Sequence, residues 1–273
     1  MRRSLRCAIE AIWPAIEAHI PVPKDHHPLG CHRRRCSDRV VVERLIYRVV
    51  VGCSYEDASV PGCSATTLRA RRDEWLAAGV FDRLWVEVLS AYDQIVGLVL
   101  NDLSIDGCIV KAPCGGEVAG KNPVDRGKLG TKRSIAVDGR GVPVGWVLAG
   151  ANVVDHKLLG ATLDVVDTTL AAIRVERSEL TSLFLDRVYD YKGPRGLAIE
   201  RGFDLRVAER HTGMHLRSRQ RWVVERTNSW HNNFGQLRRC TDRREACTNL
   251  SVLLANVIIV TRRLIARAAR YRC

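Results

Sequence analysis

Leu103-Ser-Ile-Asp-Gly-Cys-Ile-Val110 is a short, apolar, β-type run that carries a carboxylate, Asp106. Two other segments carry an acid in a comparable setting. In Leu183-Phe-Leu-Asp-Arg-Val-Tyr-Asp190, Asp186 lies just past a buried-type strand, and in Arg221-Trp-Val-Val-Glu-Arg-Thr-Asn-Ser-Trp230, Glu225 lies on a helix-like run. Each acid has a plain structural reading. An Asp-Gly pair makes a turn, an Asp after a strand caps a helix, and a Glu among arginines makes an i,i+4 ion pair. Carboxylates brought to one point from three segments instead hold divalent metal ions, which in-line phosphoryl transfer requires.

The order of elements decides between these readings. Residues 101–273 read as strands over 104–110, 134–137 and 142–148, with Asp138-Gly-Arg-Gly141 as a hairpin turn between the last two. A helix over 156–173 follows, then a strand over 182–185, a helix over 194–201, a strand over 205–208, and helices over 219–234 and 249–267. This β-β-β-α-β-α-β-α order is that of the RNase H-like fold, an α/β architecture with a mixed five-stranded sheet. In that fold the first strand, the fourth strand and a late helix each bring a carboxylate to one site, and Asp106, Asp186 and Glu225 occupy those elements. Residues 1–100 read as a mainly α-helical, DNA-binding N-terminal domain, and 101–273 as the catalytic domain with Arg-rich C-terminal helices. Within 1–100, helical patterns cover 8–19, 39–51 and 64–75, and Pro21, Pro23 and Pro28 mark a loop. The turn at Pro61-Gly62, followed by a helix with Thr67, Arg69, Arg71 and Arg72, is helix-turn-helix-like; a packing or dimerisation module is the alternative.

Charge narrows the partner. The chain carries +13 overall, and residues 201–273 hold sixteen Arg against five acids, whereas residues 1–100 hold fourteen Lys/Arg against twelve. Arg makes forked contacts to phosphate and stacks on bases, which points to nucleic acid; an Arg-for-Lys bias of a high-GC genome is the alternative. Charges interrupt every apolar run short of a bilayer's thickness, so no membrane is expected. With no secretory core after the basic N-terminus, the expected location is the cytoplasm, on the nucleoid. Ten cysteines without paired spacing are expected as reduced thiols. The cluster His26, His27, Cys31, His32 and Cys36 invites a zinc site, but no second ligand pair completes it.

Longer motifs carry a resemblance that covers nearly the whole chain. They include Tyr47-Arg-Val-Val-Val-Gly-Cys-Ser-Tyr-Glu-Asp57, Glu74-Trp-Leu-Ala-Ala-Gly-Val-Phe-Asp-Arg-Leu84, Gly120-Lys-Asn-Pro-Val-Asp-Arg-Gly-Lys-Leu-Gly-Thr-Lys132, Gly150-Ala-Asn-Val-Val-Asp155 and the Glu225 run. The chain resembles the DDE transposases of bacterial insertion sequences, specifically the "insertion sequence five" family. Carried over residue by residue, the resemblance implies that Asp106, Asp186 and Glu225 form a metal-binding catalytic triad. It implies two Mg²⁺ ions, with Mn²⁺ able to substitute, at a typical separation of ~3.5–4 Å. Asp106 would bridge them. The activity implied is cleavage of the element's DNA ends and strand transfer into target DNA. A catalytically impaired DNA-binding derivative and a structure-specific nuclease are the alternatives. The partners expected are double-stranded DNA, as terminal inverted repeats and as target, and a second copy of the chain on that DNA.

Basic residues expected at the DNA are Lys121, Arg126, Lys128, Lys132 and Arg133 in a loop whose glycines let backbone approach DNA closely. Arg221, Arg226, Arg238 and Arg239, and the helix-turn-helix-like Thr67, Arg69 and Arg72, complete the set. Arg221 stands one helical turn before Glu225 and could orient it, hold a phosphate or make an ordinary i,i+4 pair. Asp155 and Asp190 read as structural or supporting acids. Two positions depart from the family's pattern. Val188 stands where Gly is usual, and Asn232-Asn233 where a basic residue is usual, with Arg238 and Arg239 as substitutes. The stretch 191–215 is also short.

Overall fold

The computed structural model describes residues 3–22, 35–178, 180–207 and 218–270. Most of the His26–Cys36 cluster lies outside these residues, as does the end of the 191–215 stretch. The N-terminal region forms α1 (Arg3–Glu17), α2 (Asp38–Val51), α3 (Tyr55–Ala58), α4 (Ala65–Ala77) and α5 (Val80–Val96). The local signals for these helices are visible in the chain. Ser54 and Asp57 close a capping box on α3, the Ser54 Oγ accepting from Asp57 N at 3.0 Å. Ser64 caps α4 by accepting from Thr67 N at 3.2 Å, without the reciprocal bond. Gly52 ends α2 at φ +80°, and its bare Cα faces the backbone of Gly235, where a Cβ would fall 2.7 Å from a carbonyl carbon. That position therefore demands glycine for both conformation and space.

The sheet consists of β1 (Asp102–Lys111), β2 (Gly120–Lys121), β3 (Leu129–Asp138), β4 (Pro143–Gly150), β5 (Ser182–Leu185) and β6 (Asp204–Val207). The main path runs β4–β3–β1–β5–β6. β1 and β4 are antiparallel to β3, while β5 is parallel to both β1 and β6. The two-residue β2 adds to β3 at Leu129–Gly130, a pairing not anticipated from sequence. With α6 (Asp155–Ala172) between β4 and β5, and α7 (Lys192–Glu200) between β5 and β6, this is the RNase H-like topology. It ends in α8 (Ser218–His231), the short α9 (Gly235–Arg238) and α10 (Glu245–Arg270).

Period two sorts the neighbours of the sheet. Ser134 bonds Thr162 of α6 at 2.8 Å, and Gly145 leaves room for Val166, so α6 covers that face. The opposite face holds Asp106, which meets Asn228 of α8, and Trp146, which meets Asn249 of α10 and stacks edge-on with Trp85 of α5. The N-terminal helices thus share one hydrophobic core with the sheet, from Leu5 through Trp85 and Ile135 to Val260. Each fully buried Leu, Ile or Val there is worth about 1.5–3 kcal/mol.

α10 corrects one expectation. It is long and apolar enough to cross a membrane by length and composition, contrary to the expectation that no run reaches that length. Its apolar stretch is 67% buried, because it serves as the central helix on which α1, α2, α5 and α8 pack. The cysteines among the described residues are free thiols, as expected.

Candidate active site

The three sequence-selected carboxylates lie on adjoining elements. Asp106 sits in the middle of β1, half-buried, on the face covered by α8, and accepts a hydrogen bond from Asn228 Nδ2 at 3.3 Å. Asp186 ends β5. The parallel register pairs Ser104 with Phe184, so two residues further on it leads Asp106 and Asp186 to neighbouring places. Asp186 Oδ1 also accepts from Arg187 N at 2.6 Å and starts the 3-10 turn Arg187–Tyr189, so the capping reading and the strand-end reading both hold. Glu225 is exposed on α8, one turn before Asn228, and so shares the helix face that touches Asp106. Among the described residues, no group of three or more His, Cys, Asp or Glu side chains is close enough to hold a metal ion. The carboxylates adjoin but are not gathered into one coordination sphere. Their chemistry is oxygen-only, which suits a hard divalent cation such as Mg²⁺.

Beneath Asp106 lies a buried polar group that sequence reading did not assemble. Asp155, the first residue of α6, pairs through Oδ2 with Lys132 Nζ at 2.9 Å, and Lys132 is 4% exposed. The other oxygen, Oδ1, is buried without a hydrogen-bond partner. It presses on Gly107, where a Cβ would lie 1.8 Å away. The glycine beside Asp106 therefore makes room for Asp155 rather than for a turn. Tyr189 is buried on the same side, its hydroxyl likewise without a partner. Burial, and then the charges of Asp155, Asp106 and Asp186, push that phenol far up. It stays protonated and is no nucleophile at neutral pH. Asp190 has a structural partner in Arg195 at 2.6 Å.

The basic residues divide into those that face solvent and those that do not. Lys121, Arg126 and Lys128 are exposed on the loop, Arg126 at φ +51°. Lys132 and Arg133 were expected on the same loop, but β3 starts at Leu129 and takes both inside; this is a correction. Arg133 is 2% exposed, with Nη1 3.5 Å from the Leu237 carbonyl and with Nε and Nη2 unpartnered. Gly120 and Gly130 also turn their bare sides toward the protein, at Asn152 and at the Val110 carbonyl, and only Gly127 stands open to solvent. On α4, Arg72 is 6% exposed and bonds Asp73 and the Tyr55 hydroxyl, which corrects its reading as a DNA contact. Arg69 pairs with Glu56 at 2.6 Å, and Thr67 bonds Ser64 at 3.0 Å. Arg226 is half-buried, Arg238 and Arg239 are exposed, and the Arg221 side chain lies outside the described residues.

Residues 99–259, more than half of the chain, match the family described as "Transposase DDE domain". The chain belongs to that family. Residues 9–85 also match "Putative transposase of IS4/5 family". Among similar proteins is "Putative transposase for insertion sequence element IS402" of Burkholderia cepacia, 36% identical over 129 residues. That match spans 46% of this chain and 60% of the relative. "Insertion element IS402 uncharacterized 16.2 kDa protein" of the same organism is 26% identical over 116 residues, which cover 42% of this chain and 79% of the relative. Among solved structures, "Crystal structure of a pre-cleavage Mos1 transpososome" aligns with a TM-score of 0.30 at 11% identity, covering 88% of this chain and 81% of that one. "Mos1 transposase paired-end complex with left transposon end" aligns at 0.29 and 13%, covering 68% and 62%.

Two details bear on this DDE-domain chain's departures from the family pattern. Val188 sits in the middle of the 3-10 turn, 42% exposed and at negative φ, so a β-branched residue fits there without strain. Asn228, which sequence reading missed, was signalled only by its place three residues after Glu225 on a helix.

Proposed function

We propose that this chain is a transposase that cuts the DNA ends of an insertion sequence and joins them to target DNA. The observation that supports it is the adjoining placement of Asp106, Asp186 and Glu225 on β1, the end of β5 and α8, within a DDE-domain family member. These three carboxylates would hold the divalent metal, most simply two Mg²⁺ ions with Mn²⁺ able to replace them. A bound pair of such ions supplies activation of water or a 3′-hydroxyl and neutralises charge on the scissile phosphate. Asn228 fixes the Asp106 carboxylate, and Lys132 and Asp155 brace the sheet beneath it. Tyr189, held protonated, takes no covalent part. Asp106 and Glu225 stand on a strand and a helix and Asp186 directly after another strand, which suits a site that must be geometrically exact. The reading extends to action in the cytoplasm at the nucleoid, on terminal inverted repeats, as a homodimer on DNA. It also treats residues 1–100 as a helical, DNA-binding N-terminal unit beside the catalytic one.

The test is substitution without change of volume. Asp106→Asn, Asp186→Asn and Glu225→Gln should each lower cleavage of end DNA by at least about a hundred-fold while leaving DNA binding near wild type. Cleavage should also fall to background in chelator. A variant that cleaves normally is not in the triad, and cleavage that persists in excess chelator overturns the mechanism.

A further inference from the structure

Five side chains form an alternating ladder of rings and cations that runs along α8 and on to α5 and α10. The Arg226 guanidinium lies between Trp222 and Trp230, 4.7 and 4.8 Å from their ring centroids. The Arg263 guanidinium lies between Trp230 and Tyr92, at 5.5 and 5.7 Å. Both cations donate to one acceptor, the Arg140 carbonyl oxygen in the β3–β4 turn, from Arg226 Nη2 at 2.6 Å and Arg263 Nη1 at 2.9 Å. The ladder starts in solvent: Trp222 is 54% exposed and stands one turn before Glu225. It ends in an open groove of about 390 Å³ lined by Tyr92, Val96, Arg140, Arg263, Arg267 and Arg270.

Charge in this groove has one sign. Among the described residues lining it, none is acidic. The carboxylate that feels Arg263, Asp138, is buried and already accepts from the backbone N–H groups of Val99, Arg140 and Val142. Arg263, Arg267 and Arg270 fall at i, i+4 and i+7 on one face of α10, spanning roughly 10 Å of helix. A DNA strand carries successive phosphates, so a row of arginines over this span matches neighbouring phosphates of one strand rather than one small ion.

We propose that this groove, with the ladder leading to it, is a second DNA track. Its arginines take the sugar–phosphate backbone of duplex DNA flanking the cut, and Trp222 lies against a base or sugar beside Glu225. The track deepens the transposase reading and rests on it only for the position of the cut. The track is tested with the full chain and a random-sequence duplex over a salt series, without divalent metal, so that binding is read independently of cleavage. The double variant Arg267→Ala/Arg270→Ala should lower the slope of log affinity against log salt by about 1.8, at roughly 0.9 for each phosphate that is no longer neutralised. Trp222→Ala should weaken binding to a duplex with an unpaired flank about five-fold or more, with little change for a continuous duplex. A double variant that is folded by circular dichroism, with unchanged slope and affinity, overturns the groove. Equal losses on both DNAs, or none, remove Trp222 from the track. Wild-type cleavage is measured separately. A wild type that cleaves, with the slope unmoved by the double variant, sinks the track alone. A lowered slope in a protein that never cleaves sinks the catalytic reading alone.

Discussion

The arginines of the N-terminal helices and those of α8 and α10 meet opposite fates. In the first region carboxylates answer several of them: Arg69 meets Glu56 at 2.6 Å, Arg71 meets Asp38 at 3.0 Å and Arg72 meets Asp73 at 2.9 Å, while Arg44 and Arg83 donate to backbone carbonyls. Arg48 of α2 meets Asp242 at 2.8 Å. In the second region Arg226 and Arg263 rest on indole and phenol rings and share one carbonyl oxygen. Supply explains the difference. Residues 1–100 have twelve acids for fourteen Lys/Arg, while residues 201–273 have five for sixteen. The balance of a segment, more than its number of arginines, tells which cations remain for an outside partner. A helix-turn-helix-like pattern with three arginines proved to be a region where two of the three are folded inward.

The largest effect that would break this contrast is at Arg48. Both side chains of the Arg48–Asp242 pair are 6% exposed, the contact is bidentate, and the guanidinium also covers the Tyr55 ring at 4.0 Å. Arg48→Ala leaves Asp242 buried and, among the described residues, answered by the Ser251 hydroxyl alone at 3.2 Å. Removing one partner of such a pair costs about 3–5 kcal/mol, so urea unfolding should show a loss of about 3 kcal/mol or more. A loss below about 1 kcal/mol would mean that the N-terminal arginines are no more committed to the fold than those of α8.

The sequence located the three carboxylates on their elements and gave away the order of strands and helices because those signals are local. A carboxylate on or just past an apolar run, a capping box at Ser54–Asp57 and a hairpin turn at 138–141 need no knowledge of distant residues. What it hid depends on remote partners. The partner of Arg48 is 194 positions away and that of Lys132 is 23. Gly130-Thr-Lys-Arg133 has the glycine and charge of a loop, yet β3 runs through it because Asp155 and the Leu237 carbonyl receive the cations. Val80–Val96 reads only as part of a helical region, although its buried Phe81, Leu84, Trp85, Val88, Leu89 and Tyr92 follow one helix face. The grouping of Asn228 with Asp106 could not be seen before strand and helix were placed together.

A second, smaller effect tests the cation excess on the α8 side. His231 is fully buried, and burial first, then the charge of Arg133, lower its pKa from 6.5 to about 3, with Asn256 accepting at 2.6 Å. The folded state therefore binds fewer protons than the unfolded state between those two values, so stability is lost as the pH falls from 6.5 toward 3. The slope approaches about 1.4 kcal/mol per pH unit. The drop in unfolding free energy between pH 7 and pH 5 should be about 2 kcal/mol greater in wild type than in His231→Gln. An equal drop in both would mean that the histidine takes up its proton in the fold and that the cations around it exert no such pressure.

The smallest effect decides what α4 is for. Arg72 is buried against the Tyr55 ring, with its centre 5.0 Å from the centroid, and bonds the Tyr55 hydroxyl at 2.5 Å. Arg72→Ala should cost about 1–2 kcal/mol of stability through poorer packing and an unmet hydroxyl. Arg69 lies at the surface, its side chain 42% exposed and its partner Glu56 64% exposed, an ion pair that water and salt screen. Arg69→Ala should leave the denaturation midpoint where it was. If α4 is a packing element, the same change should also leave the ratio of affinities for element-end DNA and random DNA unaltered, because no base edge loses its reader. A fall of about ten-fold in that ratio, with the midpoint unmoved, would make Arg69 a base contact that exchanges Glu56 for DNA. The division between committed and available arginines would then run through α4 itself, separating Arg72 inside from Arg69 outside.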